Sequence, residues 1–192
     1  MNRIAIFASG SGTNMQRIAE YFSDNPLVEI SVVLCNKPGA GVIQRAYNLN
    51  IPVIMIDRES FYHSEFITKV LLEKEIDLIV LAGFLWLIPD HLLKAFPNRI
   101  INIHPALLPK YGGKGMFGSK VHEAVIAAGE SKSGITIHYV NEHYDEGAVI
   151  FQQALSIEPN ETAYSLVTKI HQLEYRYFPE VIENVLGSMK SN

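Results

Sequence analysis

Four short segments in the N-terminal half are apolar almost without interruption: RIAIFAS (3–9), ISVVLCN (30–36), IPVIMID (51–57) and IDLIVLAG (76–83). A strand with one wet face alternates apolar and polar residues. These do not, so they predict strands covered on both faces. NMQRIAEYF, GAGVIQRAYNLN and SEFITKVLLEKE lie between them and carry apolar residues three and four apart, the spacing of helices with one buried stripe. The βαβαβαβ order predicts a parallel sheet with right-handed crossovers and helices on both faces.

The pattern changes after residue 98. RIINIH (99–104) reads as a fifth strand, and SKVHEAVIAAG (119–129) as a helix stopped by Gly129. GITIHYV (134–140) and AVIFQQALSI (148–157) alternate more clearly across a seven-residue polar connection, which predicts an antiparallel pair at the sheet's far edge. Residues 161–187 read as a long closing helix with a bend or restart near Pro179. No repeat or interdomain linker interrupts this order. The expectation is a single α/β domain over 1–192: a Rossmann-like, mostly parallel twisted sheet of about seven strands, one antiparallel near the C-terminal half.

Composition narrows the class of function. A chain of 192 residues with 48 % hydrophobic and 19 % charged residues has the makeup of a globular domain with a sizeable core. The net charge of −4 gives a nucleic-acid partner no support. Cys35 is the only cysteine, so no disulfide forms within the chain, and its apolar neighbours make it a buried small hydrophobe. The N-terminal apolar run is too short and too glycine-interrupted for a signal peptide or a membrane span. A cytoplasmic enzyme or binding protein without a membrane partner is expected, either monomer or homodimer.

Candidate chemistry sits at two strand ends. After the first strand, SGSGTN (9–14) opens a helix. Small residues there let backbone approach a ligand, and unpaired N–H groups at the helix start favour an anion, most naturally a phosphate. Thr13 and Asn14 add a hydroxyl and an amide. A dinucleotide fingerprint fails, because Met15 stands where a third glycine is needed and Asn36 and Lys37 end the second strand instead of an acid. No G-K-[ST] follows, so this is no P-loop. A tight turn without a ligand is the competing reading. After the fifth strand, Asn102 and His104 point to one face and are followed by PALLP, stiffened by Pro105 and Pro109. A structural histidine explains the pair equally well. Asp145, beside Gly147, lies in the loop before the last strand, where a solvated acidic loop is the ordinary alternative. The seven histidines show no metal-ligand spacing, and HEAVI at 122–126 lacks the second histidine of H-E-x-x-H. No metal is expected.

SGSGTN, LAGF (81–84), NIHPALLP (102–109) and YDEG (144–147), in that order, resemble the folate-dependent formyl transferases. The short phosphate loop points among them to the phosphoribosylglycinamide formyltransferases of purine biosynthesis. The resemblance runs from residue 1 to about residue 185. It implies 10-formyltetrahydrofolate as co-substrate and the amine of glycinamide ribonucleotide as acceptor. It places Asn102, His104 and Asp145 in the catalytic positions. Gly12, Thr13 and Asn14 fall on the loop for the ribose phosphate, with Lys110 and Lys114 as candidate phosphate neighbours. Glu174 falls on the acidic residue at the ribose or amine end. The pterin pocket falls on 83–88, including Leu85, Trp86 and Leu87, and on the 139–145 loop, including Val140 and Tyr144. The family also implies a cis Leu108–Pro109 bond. Trp86 departs from it: many relatives carry arginine there, which leaves an aromatic wall or a backbone pocket for the folate.

In the implied mechanism Asn102 and His104 donate to a tetrahedral oxyanion, while Asp145 orients His104, raises its pKa and helps move a proton. Two rivals remain at this stage. A formyltetrahydrofolate deformylase would carry an extra N-terminal domain, for which a first strand at residue 3 leaves no room. A nucleotide-binding module without catalysis would need only the first loop.

Overall fold

The computed structural model describes residues 1–189. The chain divides after Ile101 into two compact units. The first holds, in order, β1 (Asn2–Ala8), α1 (Thr13–Phe22), β2 (Val28–Cys35), α2 (Gly41–Asn48), β3 (Val53–Met55), α3 (Arg58–Tyr62), α4 (Phe66–Glu73), β4 (Leu78–Leu81) and α5 (Asp90–Ala95). β5 (Ile100–His104) spans the division, and the second unit adds α6 (Ser119–Ala127), β6 (Lys132–Tyr139), β7 (Val149–Ser156) and α7 (Ala163–Met189). The strands form one seven-stranded sheet in the order β3-β2-β1-β4-β5-β6-β7.

β1 is the hub of the first unit. It runs parallel to β2 on one side and to β4 on the other, with Ile6 opposite both Val33 and Val80. Ile4–Ala8 and every residue of β4 are buried. Burial of successive side chains, which point alternately to opposite faces, means both faces are covered, as the unbroken apolar runs predict. Phe7 is sealed by the rings of Phe84 and Phe61, edge-on at 5.3 and 6.4 Å. Because β2 and β3 extend the sheet one way from β1 and β4 the other, the loop after β1 lies at a topological switch point, the usual ligand position in open parallel sheets.

The second unit contains the antiparallel pair. β6 and β7 pair with Gly134 opposite Ala154. A Cβ at Gly134 would lie 2.1 Å from the Gln153 carbonyl oxygen, so the two backbones meet there only because the position is glycine. β7, at the edge, alternates half-buried and exposed residues as one-sided strands do.

Three features depart from expectation. α3 and α5 are short helices that three- and four-residue spacing is too coarse to reveal. α3 starts at a capping box, where the Ser60 N–H donates to Asp57 Oδ1 at 2.8 Å. α7 does not restart near Pro179. It continues as one 27-residue helix with Pro179 buried inside it. Its buried stripe, including Ile170, Phe178, Ile182 and Leu186, offsets the single backbone bond the proline cannot make. No helix among the described residues is long and apolar enough to cross a membrane.

α6 buries His122 against α7, and its Nδ1 has no hydrogen-bond partner. Burial, with smaller contributions from His171 and His104, lowers the His122 pKa from 6.5 to about 4. Between these values the unfolded chain binds more protons than the folded one, so stability rises with pH across that window and is lost on acidification through it. The urea midpoint of the wild type should fall as pH drops from about 6.5 toward 4, and His122→Leu should flatten that slope. An identical slope in both proteins would assign the loss to other groups.

Candidate active site

Asn102 and His104 sit two residues apart on β5, and both reach Asp145. Asn102 Nδ2 lies 3.4 Å from Asp145 Oδ1, and His104 Nδ1 lies 3.5 Å from Oδ2. The three residues that sequence singled out, 43 positions apart at the extremes, therefore share one cluster within the second unit. His104 is 4 % exposed by side chain and Asp145 11 %, so this is polar chemistry held almost out of water. Asp145 adopts a left-handed backbone at φ 59°. Its carboxylate receives the Gly113 N–H at 2.9 Å. A Cβ on neighbouring Gly112 would lie 3.2 Å from Asp145 Cβ and 2.5 Å from a Leu108 methyl, so the loop packs closely on Asp145 there.

Sequence reasoning missed His138 on β6. It is 2 % exposed, with Nε2 3.1 Å from Asn102 Nδ2 and 3.6 Å from Asp145 Oδ1. The strand's alternation marks His138 only as one of several positions on a face. Nothing in the linear pattern connects it with residues 102 and 145.

Electrostatics set the charge of both partners. Burial opposes the Asp145 charge, but the neighbouring His138 and His104 and the Gly113 N–H outweigh it and hold the pKa below the ordinary carboxylate value. Asp145 is thus an anion. Burial also acts on His104 and there it wins: despite Asp145 and the Tyr111 carbonyl, its pKa lies below the usual imidazole value, with His138 pushing the same way. Asp145 does favour the imidazolium, as expected, yet the net shift is downward. His104 Nε2 donates to the Tyr111 carbonyl at 2.7 Å, which leaves the neutral ring with its proton on Nε2.

A cavity of about 410 Å³ opens beside Asp145, lined by Leu108, Pro109, Gly112, Tyr144, Gly147 and Val149. Its size falls in the range of small-molecule sites. Tyr144 lines it; Val140, half-buried just past β6, does not. The Leu108–Pro109 bond is cis, as the family resemblance implies. Lys110 points to Glu130, with Nζ 2.8 Å from Oε1, and the Tyr111 hydroxyl donates to the same oxygen. Glu174 is buried on α7. Among the described residues no cluster of three or more His, Cys, Asp or Glu has the arrangement to hold a metal ion.

The first unit carries the other candidate. Its loop 9–14 is braced from below by α2. The Val42 N–H donates to the Gly10 carbonyl at 3.1 Å, and Arg45 Nε donates to the Ser11 carbonyl at 3.0 Å while its guanidinium also binds Gln16. With the carbonyls of Gly10 and Ser11 so engaged, the N–H groups of Gly10, Ser11, Gly12 and Thr13 have no backbone acceptor among the described residues. Such a row of donors at a helix start suits an anion. Asn14 follows in the first turn of α1. Ser9 ties this loop to the 83–87 stretch: its N–H donates to Gly83 O at 3.0 Å and its hydroxyl accepts from Leu85 N–H at 3.1 Å. Leu85 is exposed and Leu87 half-buried. Trp86 joins an aromatic cluster, 5.5 Å from Phe61 and 5.9 Å from Tyr62, and the Arg58 guanidinium lies 5.2 Å over its ring. A hollow of about 800 Å³ in this unit lies at the opposite end of β1, around Arg3 and residues 28–31, and contains none of these groups.

Comparison with known proteins agrees with the motifs. A family model described as Formyl transferase matches residues 2–182. The chain is 39 % identical over 186 residues to "Phosphoribosylglycinamide formyltransferase, chloroplastic" of Arabidopsis thaliana, covering 94 % of this chain and 64 % of that protein. It therefore spans less than two thirds of that relative's length. It is 36 % identical over 192 residues to "Phosphoribosylglycinamide formyltransferase" of Bacillus subtilis, covering 97 % of this chain and 96 % of the relative. The crystal structure of phosphoribosylglycinamide formyltransferase from Bacillus halodurans superimposes with a TM-score of 0.86 at 39 % identity, covering 96 % of this chain and 95 % of that one.

The loop geometry makes Gly12 a sensitive position. Its φ is +78°, and a Cβ there would lie 2.5 Å from Val42 Cα. Left-handed strain and overpacking together should make Gly12→Ala cost about 2–4 kcal/mol in urea unfolding. A loss under about 0.5 kcal/mol, the level of ordinary surface substitutions, would show that the loop is not clamped by α2.

Proposed function

Because the chain belongs to the formyl transferase family, we propose that it moves the formyl group of 10-formyltetrahydrofolate to the amine of glycinamide ribonucleotide, giving formylglycinamide ribonucleotide and tetrahydrofolate in purine biosynthesis. The observation that carries this reading is the buried cluster of Asn102, His104 and anionic Asp145, formed from distant parts of the chain. The relatives' names supply the acceptor and the group transferred, and the family resemblance supplies the folate donor.

The neutral amine attacks the formyl carbon, forming a C–N bond and a tetrahedral centre with an oxyanion. The bond from that carbon to the folate nitrogen then breaks. One proton passes from the attacking to the leaving nitrogen. Asp145 is charged and suited to receive it, directly or through water. His104 has its proton on Nε2 and offers it to the oxyanion once the Tyr111 carbonyl is exchanged for that oxygen. Asn102 holds the reacting amine beside them. No covalent enzyme intermediate is required: Cys35 is buried in β2, and among the described residues no serine is hydrogen-bonded to His104 or His138. The ribose phosphate is bound by the loop N–H groups at Gly12 and Thr13, with Asn14. Of the residues assigned to folate, the 83–88 stretch with Trp86 as an aromatic wall belongs to the first unit, and Tyr144 of the 139–145 loop, which lines the cavity beside Asp145, belongs to the second. Glu174 serves the ribonucleotide. Lys110 reaches phosphate only by leaving Glu130. The enzyme works in the cytoplasm.

An absorbance assay for deformylated folate, run with and without glycinamide ribonucleotide, tests the reading. Turnover should require the amine. Amine-independent turnover would make it a hydrolase, and none at all would leave a binding module. Asn102→Ala and His104→Ala should each lower kcat by about 10²–10³-fold, the usual loss of a transition-state contact. Near-normal kcat in either would remove that residue from the reaction. Asn14→Ala should chiefly raise KM for the ribonucleotide, whereas a rise confined to folate would reassign the first loop.

A further inference from the structure

The orientation of the Asn102 carboxamide follows from one backbone carbonyl. His138 Nδ1 lies 2.8 Å from the Tyr139 carbonyl oxygen, which can only accept. The ring proton is therefore on Nδ1, and Nε2 of the neutral ring is an acceptor. The carbonyl itself has little freedom: a Cβ at Gly147 would lie 1.7 Å from Tyr139 O, so the 140–148 loop packs glycine directly against it. Facing Nε2 is Asn102 Nδ2 at 3.1 Å, and the same Nδ2 lies 3.4 Å from Asp145 Oδ1. Both acceptors demand hydrogen. The two amide protons of Asn102 are thus turned inward, one to His138 and one to Asp145. Its Oδ1 has no hydrogen-bond partner among the described residues, yet it is not among their enclosed, unpartnered polar atoms. Turning the carboxamide over would set that oxygen against the Nε2 lone pair and a carboxylate together.

We infer that His138, held in its Nδ1–H tautomer by the Tyr139 carbonyl, positions Asn102 so that it meets the substrate as an acceptor for the attacking amine's N–H, not as a donor to the oxyanion. The inference rests on the formyl-transfer reading for its substrate, but its structural half does not. An acceptor there aims the amine's lone pair at the formyl carbon and stabilises the positive charge the nitrogen gains on attack. The oxyanion is left to His104. His138 touches no substrate in this scheme and is a positioning residue. The ionisable groups that face it are Asp145, from the loop after β6, and His104 on β5. A second proton, on Nε2, would reverse the arrangement by removing the acceptor that Asn102 serves.

Two measurements test this. Long-range proton–nitrogen correlation on the full-length, 15N-labelled protein, at a pH above the imidazole range, should show His138 as the Nδ1–H tautomer. An Nε2–H tautomer would overturn the assignment whatever reaction the protein catalyses. In kinetics, His138→Leu removes the acceptor at the Nε2 position, while His138→Gln can restore one through its side-chain oxygen. The leucine variant should lose about tenfold or more in kcat with little change in either KM, and glutamine should recover most of it. Equal losses in both variants, or none in either, would sink the positioning role while leaving amine-dependent turnover, and with it the proposed function, intact. If turnover proves amine-independent instead, that function falls and the tautomer result alone decides the structural half.

Discussion

The second unit is organised around one carboxylate that has been taken almost out of water. An ionised acid in that position is costly unless several donors meet it. Asp145 has the Gly113 N–H and the Asn102 amide, and two imidazoles face it at 3.5 and 3.6 Å. The two donors come from β5 and from the loop after it, with His138 of β6 packed alongside, and the closure goes with a glycine at 147, where a Cβ would meet backbone, and a left-handed residue at 145 itself. Remove the charge and these local peculiarities have no common reason. With it, the strands and loops bearing them must come to one point before any substrate arrives, and the chemistry is pre-organised.

Much of this was legible in sequence because it depends on short-range periodicity. Unbroken apolar runs identify β1, β2 and β4, since a side chain buried on either face leaves no polar position. The i, i+2 spacing places Asn102 and His104 on one face, and both reach the same acid. What was not legible depends on contacts across the sheet. His138 sits in GITIHYV as an ordinary inward residue, and its importance lies in a partner 36 residues away. The net His104 pKa escaped for a related reason: the attraction of Asp145 can be guessed from a motif, but the desolvation that overrules it is a property of the packed interior. Pro179 shows the opposite failure. A strong local signal for a break was overridden by a long buried stripe on the same helix.

In the proposed function the two units differ in the kind of group each offers. The first unit presents backbone donors: a glycine-shaped loop braced through its carbonyls by α2 and Arg45, so that its N–H groups remain for a ligand. Such donors neither titrate nor vary in position, which suits a phosphate that must be held but not changed. The second presents side chains whose protons can move. Placing titratable groups in the buried cluster and fixed dipoles at the anion loop separates binding from chemistry, so that a change in pH alters the second more than the first.

In the proposed reaction the lowered pKa of His104 is part of catalysis and not an obstacle to it. In the unliganded protein its Nε2–H rests on a neutral carbonyl of Tyr111. Exchanging that oxygen for the formyl oxygen of a bound substrate replaces one neutral acceptor by another, with little gain. As the amine adds and the oxygen becomes an anion, the same bond turns charge-assisted and strengthens. The strengthening occurs only on the way to the transition state, and that difference, not ground-state affinity, is what raises kcat. A permanently cationic His104 would gain less from the change, because Asp145 would already hold its charge before the substrate developed one.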